Sequence, residues 1–146
     1  MPIKVEIADE QDAHVITYER LLTAVRAILT DSGYTAGEVS IAIVADAEMH
    51  EYNRQYLQHD YPTDVLSFVL EAEAEYLVGQ LIVSADYAAG EAAKFGWSID
   101  DEVLLYAIHG ALHLVGYDDQ ESELKAEMRE QEKFYLARFG LTPRYR

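Results

Sequence analysis

The pattern of apolar and polar positions predicts a strand at the start of the chain, because residues 3–7 alternate between the two types. Such alternation is typical of a strand with one face toward water. Apolar residues then recur at helical spacing over 18–29, and Gly33 follows as a helix stop. The short β-branched run 39–45 predicts a buried strand. Asp46 can cap a following helix whose buried stripe is Met49, Tyr52 and Tyr56.

The middle of the chain predicts two neighbouring strands. Residues 61–64 contain a proline and predict a turn, because proline disfavours helix in the residue before it. Residues 65–70 and 77–83 predict strands. The acidic segment 71–76 between them predicts a hairpin loop with solvated carboxylates.

Three helices are predicted in the last part of the chain. The first covers 84–95 and ends at Gly96, and the second covers 99–115. Ser98 and Asp101 resemble a capping box before the second helix, with Trp97 as a staple. That helix is apolar nearly all round, so we expect it to be central and buried. The third, 121–139, is amphipathic, and the carboxylates of its charged run 121–132 are expected to face water. Its inward residues are predicted to be Leu124, Met128, Tyr135 and Phe139.

This order of elements predicts one α+β domain over residues 1–146, with a mixed sheet of about four strands and about five helices. The length suits a single core. There is no basic start followed by an apolar stretch, and no apolar run approaches the roughly 18 residues that a membrane-spanning helix needs. We therefore expect a cytoplasmic protein without a membrane segment.

The net charge and the absence of cysteine exclude or disfavour several functions and kinds of site. The 11 basic and 27 acidic residues give a net charge of −16, which disfavours coating of RNA or DNA. A metal ion and a few arginines can still set the field in one cleft, so an RNA-cutting enzyme is compatible with this charge. The chain has no cysteine, which excludes disulfides and thiolate metal sites.

A histidine pair is the strongest chemical signal. His109 and His113 stand four residues apart in the most apolar predicted helix, so their imidazoles share one face and can bind one metal ion. Gly116 can end the helix in a left-handed conformation and bring Asp118 and Asp119 back toward the ion. Three protein ligands and an open position are typical of catalytic zinc. The alternative is a packed or surface pair, although burying two imidazoles without a partner is costly.

Three segments together resemble a known family. They are His-Gly-Ala-Leu-His-Leu-Val-Gly-Tyr-Asp at 109–118, the Tyr-Asn-x-x-Tyr and Pro-Thr-Asp-Val-Leu-Ser-Phe motifs within 52–68, and Leu-Val-Gly-x-Leu-Ile-Val-Ser at 77–84. Their order and spacing resemble the YbeY family of bacterial endoribonucleases. The resemblance implies an α+β metalloprotein with one zinc ion per chain, acting on rRNA precursors in maturation of the 16S 3′ end and in small-subunit ribosome quality control. It also implies ribosome-assembly proteins as partners.

The chain departs from the family pattern at three positions. Asp119 stands where the family has a third histidine, Leu57 where it has an arginine, and Gln80 where it has an aspartate. Carboxylate is a normal zinc ligand, so Asp119 is a tolerable replacement, with Asp118 as the competing ligand. Leu57 cannot clamp phosphate oxygens. Arg54, three residues earlier on nearly the same helix face, is our hypothesis for a substitute.

The leading hypothesis is a metal-dependent endoribonuclease directed at single strands. His109, His113 and Asp119 would hold the ion, and the strand from residue 63 to 68 would form one wall of the cleft. Asp64 and Ser67 are candidates for hydrogen bonds to substrate or to water on the metal; both also suit a purely structural role in the turn and strand.

Three other functions are compatible with parts of the pattern. A ribosome-assembly binding module with a structural metal and little or no nuclease activity fits the net charge and the missing arginine. A zinc peptidase is disfavoured because Gly110 stands where its catalytic glutamate follows the first histidine. An iron oxygenase is disfavoured because nothing suggests a cosubstrate site.

Overall fold

The structure is a computed structural model that describes residues 2–57 and 64–143, without the side chains of residues 56 and 57. Its elements follow the predicted order. They are β1 (Ile3–Asp9), α1 (Glu19–Asp31), β2 (Ala36–Val44), α2 (Asp46–Leu57), β3 (Val65–Glu73), β4 (Tyr76–Ser84), α3 (Ala85–Phe95), α4 (Ile99–Leu114) and α5 (Ser122–Ala137). The predicted α+β class is therefore confirmed. The predicted turn at 61–64 lies outside the described residues, except for Asp64.

The four strands form one mixed sheet in the order β1-β2-β4-β3. β1 pairs with β2 and β2 with β4 in parallel, whereas β3 and β4 form an antiparallel pair. The inner strands β2 and β4 are buried over their second halves, where helices cover both faces of the sheet. This accounts for their β-branched runs, because a strand buried on both faces has no need of alternation.

The hairpin between β3 and β4 differs from the prediction of a loop at 71–76. The strands continue to Glu73 and restart at Tyr76, leaving a two-residue turn at 74–75. Leu70 forms a bulge, since Val69 pairs with Gly79 and Glu71 with Val78. The acidic side chains of the extended part point to solvent while the backbone ladder continues. Glutamate is uncommon in strands, so composition alone favoured a loop.

Serine caps fix the starts of α3 and α4. The Ser84 hydroxyl accepts from the Tyr87 N–H at 3.0 Å and donates to Asp46 at 2.9 Å. Ser98 accepts from the Asp101 N–H at 3.0 Å, as predicted for that helix. The predicted capping role of Asp46 is wrong: it lies inside α2, and its carboxylate is used by the buried Ser84.

Helix α4 lies at the centre of the domain, as predicted. It packs against α1, α3 and α5 and against strands β3 and β4, and most of its side chains are buried. Helix α5 contributes the buried Met128 and Tyr135, while Leu124 and Phe139 are half-buried. α5 ends at Ala137 rather than at the predicted residue 139. Among the described helices, none combines the length and apolarity needed to cross a membrane.

Candidate metal centre

The two histidines of α4 face each other at the surface of the domain. Their Nε2 atoms are 3.1 Å apart, and their ring centroids are 4.7 Å apart in an edge-on arrangement. The His109 side chain is 17% exposed and that of His113 is 29% exposed. One turn of helix thus brings the two imidazoles together on one face, as the sequence predicts. Their position is partly buried and remains open to solvent.

A glycine turn brings the chain back over this pair. Gly116 has φ +107°, a left-handed conformation that favours glycine, and the Tyr117 N–H then donates to the Leu112 carbonyl at 3.0 Å. The Tyr117 carbonyl comes to 3.1 Å from His113 Nδ1. The turn therefore ends α4 and also orients one of the two rings.

Asp119 completes the group of candidate ligands. Its Oδ2 lies 3.3 Å from His109 Nε2, and its Oδ1 lies 3.8 Å from His113 Nε2. Asp118 is used differently: its Oδ1 accepts from the backbone N–H groups of Asp119 at 2.7 Å and Gln120 at 3.3 Å, which shapes the turn. Of the two aspartates, the geometry brings Asp119 to the histidines.

Glu132 of α5 contacts the site from another helix and is not among the site residues that the sequence predicts. Its side chain is fully buried, with Oε2 at 2.6 Å from His109 Nδ1 and Oε1 at 2.8 Å from Arg129 Nη1. The expectation that the charged run 121–132 faces water is therefore wrong at this residue. A signal was present, since Glu132 lies four residues from both Met128 and Leu136 on the buried stripe of α5.

Hydrogen bonding determines which ring nitrogens face the site. A carboxylate and a carbonyl only accept hydrogen bonds, so Nδ1 of both His109 and His113 must donate to them. Both Nε2 lone pairs of the neutral rings then point at each other and toward Asp119. Two converging acceptors require a cation or a proton between them.

The spacing of these atoms suits zinc. Bonds of about 2.0–2.1 Å to two nitrogens at a tetrahedral angle place those nitrogens about 3.3 Å apart. The Nε2 atoms are 3.1 Å apart, and one Asp119 oxygen is 3.3 Å from His109 Nε2. In the described part of the chain, His109, His113 and Asp119 form the one group of three ligand-type side chains within metal-binding reach. The residues present therefore fit a metal ion.

Surrounding carboxylates also control the charge of His109. Burial by itself lowers the pKa of His109, but the hydrogen bond and charge of Glu132, with smaller contributions from Asp64 and Asp119, raise that pKa above its ordinary value. A metal ion held by His109 Nε2 would take the place of a proton on that nitrogen, so metal uptake would be coupled to proton release.

A cleft of about 450 Å³ opens beside the histidines, a size within the range of ligand sites. It lies between β3 and the C-terminal part of α4. Its described lining consists of Val65, Leu66, Ser67, Val69, His109, His113, Leu114 and Gln120. The Ser67 hydroxyl donates to the Gly110 carbonyl at 3.0 Å and thus ties β3 to α4 at the wall of the cleft.

Gly110 permits close contact of α4 and β3. A Cβ atom built there would lie 3.0 Å from a methyl of Leu81 and of Val65, and 3.1 Å from Ser67 Oγ. A glutamate at this position would therefore point into the sheet and could not serve as a general base. This geometry argues against the zinc-peptidase alternative.

The other predicted site residues lie at different distances from the histidines. The charge of Asp64 reaches His109, while its Oδ1 accepts from the Val65 N–H at 2.7 Å. Arg54 is exposed on α2, forms an ion pair with Glu51, and is not among the described residues that line the cleft. The side chain of Leu57 lies outside the described residues.

The departure at Gln80 lies away from the cleft. Gln80 lines a smaller cavity of about 210 Å³ together with Tyr52 and Phe68. Successive side chains of a strand point to opposite faces of a sheet, and Leu81 is the residue that faces Gly110. Gln80 therefore belongs to the face that α2 partly covers.

Comparisons with known proteins identify relatives of this chain. A family model described as Endoribonuclease YbeY matches residues 6–140. The Endoribonuclease YbeY of Desulfitobacterium hafniense is 41% identical over 71% of this chain and 73% of its own length. That of Geobacter metallireducens is 39% identical over 95% of this chain and 99% of its own length. A solution structure from Thermotoga maritima is similar with a TM-score of 0.63 and 25% identity, covering 94% of this chain and 91% of that one.

Proposed function

The chain belongs to the Endoribonuclease YbeY family, and we propose that it is a zinc-dependent endoribonuclease that cuts single-stranded RNA. Its proposed substrate is an rRNA precursor at the 16S 3′ end, and its proposed role includes ribosome quality control in the cytoplasm. Relatives carry the name Endoribonuclease YbeY, which supports the RNA-cutting activity. The observation that carries the metal dependence is the convergence of two Nε2 atoms and one carboxylate within 4.8 Å of one another.

His109, His113 and Asp119 are the residues that would hold the zinc ion. When bound, zinc supplies a Lewis acid for a phosphoryl oxygen or lowers the pKa of a water nucleophile. Asp119 gives the protein ligands one more negative charge than a third histidine would. A zinc ion held there would therefore withdraw less electron density from its substrate than one held by three histidines. The ligand set is also chemically harder, which suits metal ions that prefer oxygen ligands.

The size of the cleft supports the proposal of a single-stranded substrate. A volume of about 450 Å³ admits an unstacked nucleotide, and specific RNA recognition commonly uses such splayed bases. The Ser67 proton is donated to Gly110, so Ser67 has only lone pairs left and would accept a hydrogen bond from a ribose 2′-hydroxyl. Asp64 carries only acceptors when ionised and would act in the same way. Both substrate-binding roles are part of the proposal.

We also propose that Arg54 stabilises charge on the phosphate, in place of the family arginine that Leu57 replaces. This role requires Arg54 to exchange its ion pair with Glu51 for the substrate. Exposed pairs of this kind contribute only about 0.2–1 kcal/mol, so the exchange is energetically easy. Under this proposal Arg54→Ala lowers RNA cleavage, whereas Glu51→Gln, which frees the arginine, does not. Unchanged cleavage by Arg54→Ala would exclude the role.

Metal content is the first experiment. Untagged protein supplied with zinc should contain about one ion per chain, as expected for a single site. His113→Ala and Asp119→Asn should lose it, and Asp118→Asn should keep it because its Oδ1 can still accept from the turn. The loaded protein should then cut single-stranded RNA and leave a matched duplex intact. Absence of stoichiometric metal in the native chain would contradict the proposal.

The second candidate is a ribosome-assembly module in which the metal is structural. The net charge of −16 and the leucine at position 57 favour it, because both weaken phosphate stabilisation. Ribosome-assembly proteins would then be its partners. Association with ribosomal precursors without RNA cleavage, at high protein concentration and with zinc bound, would select this function over the nuclease.

A further inference from the structure

We infer that Glu132 is a positioning residue that fixes the tautomer and orientation of His109 and thereby sets the affinity of the site for zinc. This inference rests on the metal site of the proposed function. Glu132 lies 23 residues after His109 and reaches it from another helix, so the histidine motif by itself does not contain it.

The geometry of Glu132 is that of a dedicated hydrogen-bond acceptor. Its side chain is fully buried, and Oε2 lies 2.6 Å from His109 Nδ1, which is even shorter than the usual range of charge-assisted N–H···O bonds. A carboxylate cannot donate, so this contact keeps the proton on Nδ1 and directs the Nε2 lone pair toward His113 and Asp119. Such carboxylate–histidine pairs orient metal ligands and raise their basicity.

Arg129 provides a second partner for the Glu132 carboxylate. Its second oxygen accepts from Arg129 at 2.8 Å, and Arg129 is 32% exposed. Burying a carboxylate carries a desolvation cost, which a leucine on the same stripe of α5 would avoid. The carboxylate therefore costs free energy that packing alone does not require, while it satisfies the His109 ring.

The two histidines are supported unequally. His113 Nδ1 donates to a neutral backbone carbonyl, that of Tyr117, at 3.1 Å. His109 donates to an ionised carboxylate at a shorter distance. A charged acceptor pushes more electron density into the ring, so His109 should be the stronger of the two nitrogen ligands. Zinc affinity should consequently depend strongly on Glu132.

The test compares Glu132→Gln with Glu130→Gln, an exposed residue of the same helix that pairs with Lys133 at 3.4 Å. Glutamine has one acceptor oxygen in place of two, so its NH₂ group would face either His109 or Arg129, both of which are donors. In zinc titrations against a chromophoric chelator, Glu132→Gln should bind zinc about 10–100-fold more weakly, and Glu130→Gln should match the native chain. Equal affinities for the native chain and Glu132→Gln would overturn the inference alone. A native chain that binds no zinc would overturn the proposed function as well.

A spectroscopic measurement on the native protein does not depend on the folding of a variant. In the zinc-loaded chain, long-range ¹H–¹⁵N NMR should show His109 with a slowly exchanging Nδ1 proton and a metal-bound Nε2. In Glu132→Gln that proton should exchange faster or shift upfield. Coordination of zinc through His109 Nδ1 in the native chain would contradict the inference, even if Glu132→Gln failed to fold.

Discussion

Replacement of Gly110 by alanine tests the close contact between α4 and β3 beneath the candidate site. The added methyl would lie 3.0 Å from Leu81 and Val65 methyl groups and 3.1 Å from Ser67 Oγ. Each neighbour must move by a few tenths of an ångström. Gly90 provides the matched control, because it lies inside α3 and an added Cβ there would have no neighbour within 4 Å beyond the adjacent residues and the backbone of its own helix.

The expected magnitudes follow from these two environments. Alanine in place of glycine inside a helix stabilises by about 0.5–1 kcal/mol, so Gly90→Ala should raise the free energy of unfolding by that amount. Gly110→Ala gains the same increment but adds an overpacking cost of about 1–3 kcal/mol. The two variants should therefore differ by about 1–3 kcal/mol, or roughly 3–10 °C in Tm for a domain of this size.

Urea denaturation followed by far-UV circular dichroism measures this difference, with metal removed by a chelator so that zinc affinity does not contribute. A domain of this length is expected to unfold in one cooperative transition. Because both variants carry the same chemical change in helix interiors, helix propensity cancels between them. A Gly110→Ala variant as stable as Gly90→Ala would refute the packing argument.

Three further predictions concern stability. Burial raises the pKa of Glu102, and the hydrogen bond that Trp97 donates to it offsets part of this rise. The folded state therefore binds the Glu102 proton more tightly than the unfolded state does. The stability that this proton contributes is fully present below about pH 4.5 and is lost as pH rises through the pKa of the folded state. Glu102→Gln should thus be more stable than the native chain at about pH 7 by urea denaturation, and equal at about pH 4. Ser84→Ala removes a buried helix cap with two hydrogen bonds and should lower the free energy of unfolding by about 1–2 kcal/mol in the same assay. The loss should exceed that of Ser98→Ala, which removes an exposed cap. Equal losses in the two variants would contradict this prediction. Zinc at 100 times its Kd should stabilise the native chain by about 2.7 kcal/mol in thermal unfolding and leave His113→Ala unchanged.

Periodicity predicted most of the fold because long elements repeat their signal. The alternation at 3–7 and the helical spacing at 18–29 correspond to β1 and α1. The hairpin was predicted less well, since Glu71 and Glu73 belong to β3 while their composition suggests a loop. Strand pairing there is a property of the partner β4, which a local pattern does not contain.

The candidate site was predicted only in its local part. His109, His113 and Asp119 lie within eleven residues of sequence, and the helix period and the glycine turn bring them together. Glu132 comes from another helix, and its contact depends on how α5 packs on α4. A charged residue on a buried stripe is a weak signal because long side chains often reach water from such positions. Arg54 was placed by helix spacing alone and stays a prediction.

The bulge at Leu70 bears on how copies of this chain behave in concentrated solution. β3 is an outer strand of the described sheet, so one side of its backbone is available to pair with a strand of another molecule. A bulge interrupts the regular ladder that such pairing would need. Beyond it, Glu71 and Glu73 place like charges along the same edge, and two approaching copies would repel. The chain can thus expose a long strand beside its cleft and still resist edge-to-edge aggregation.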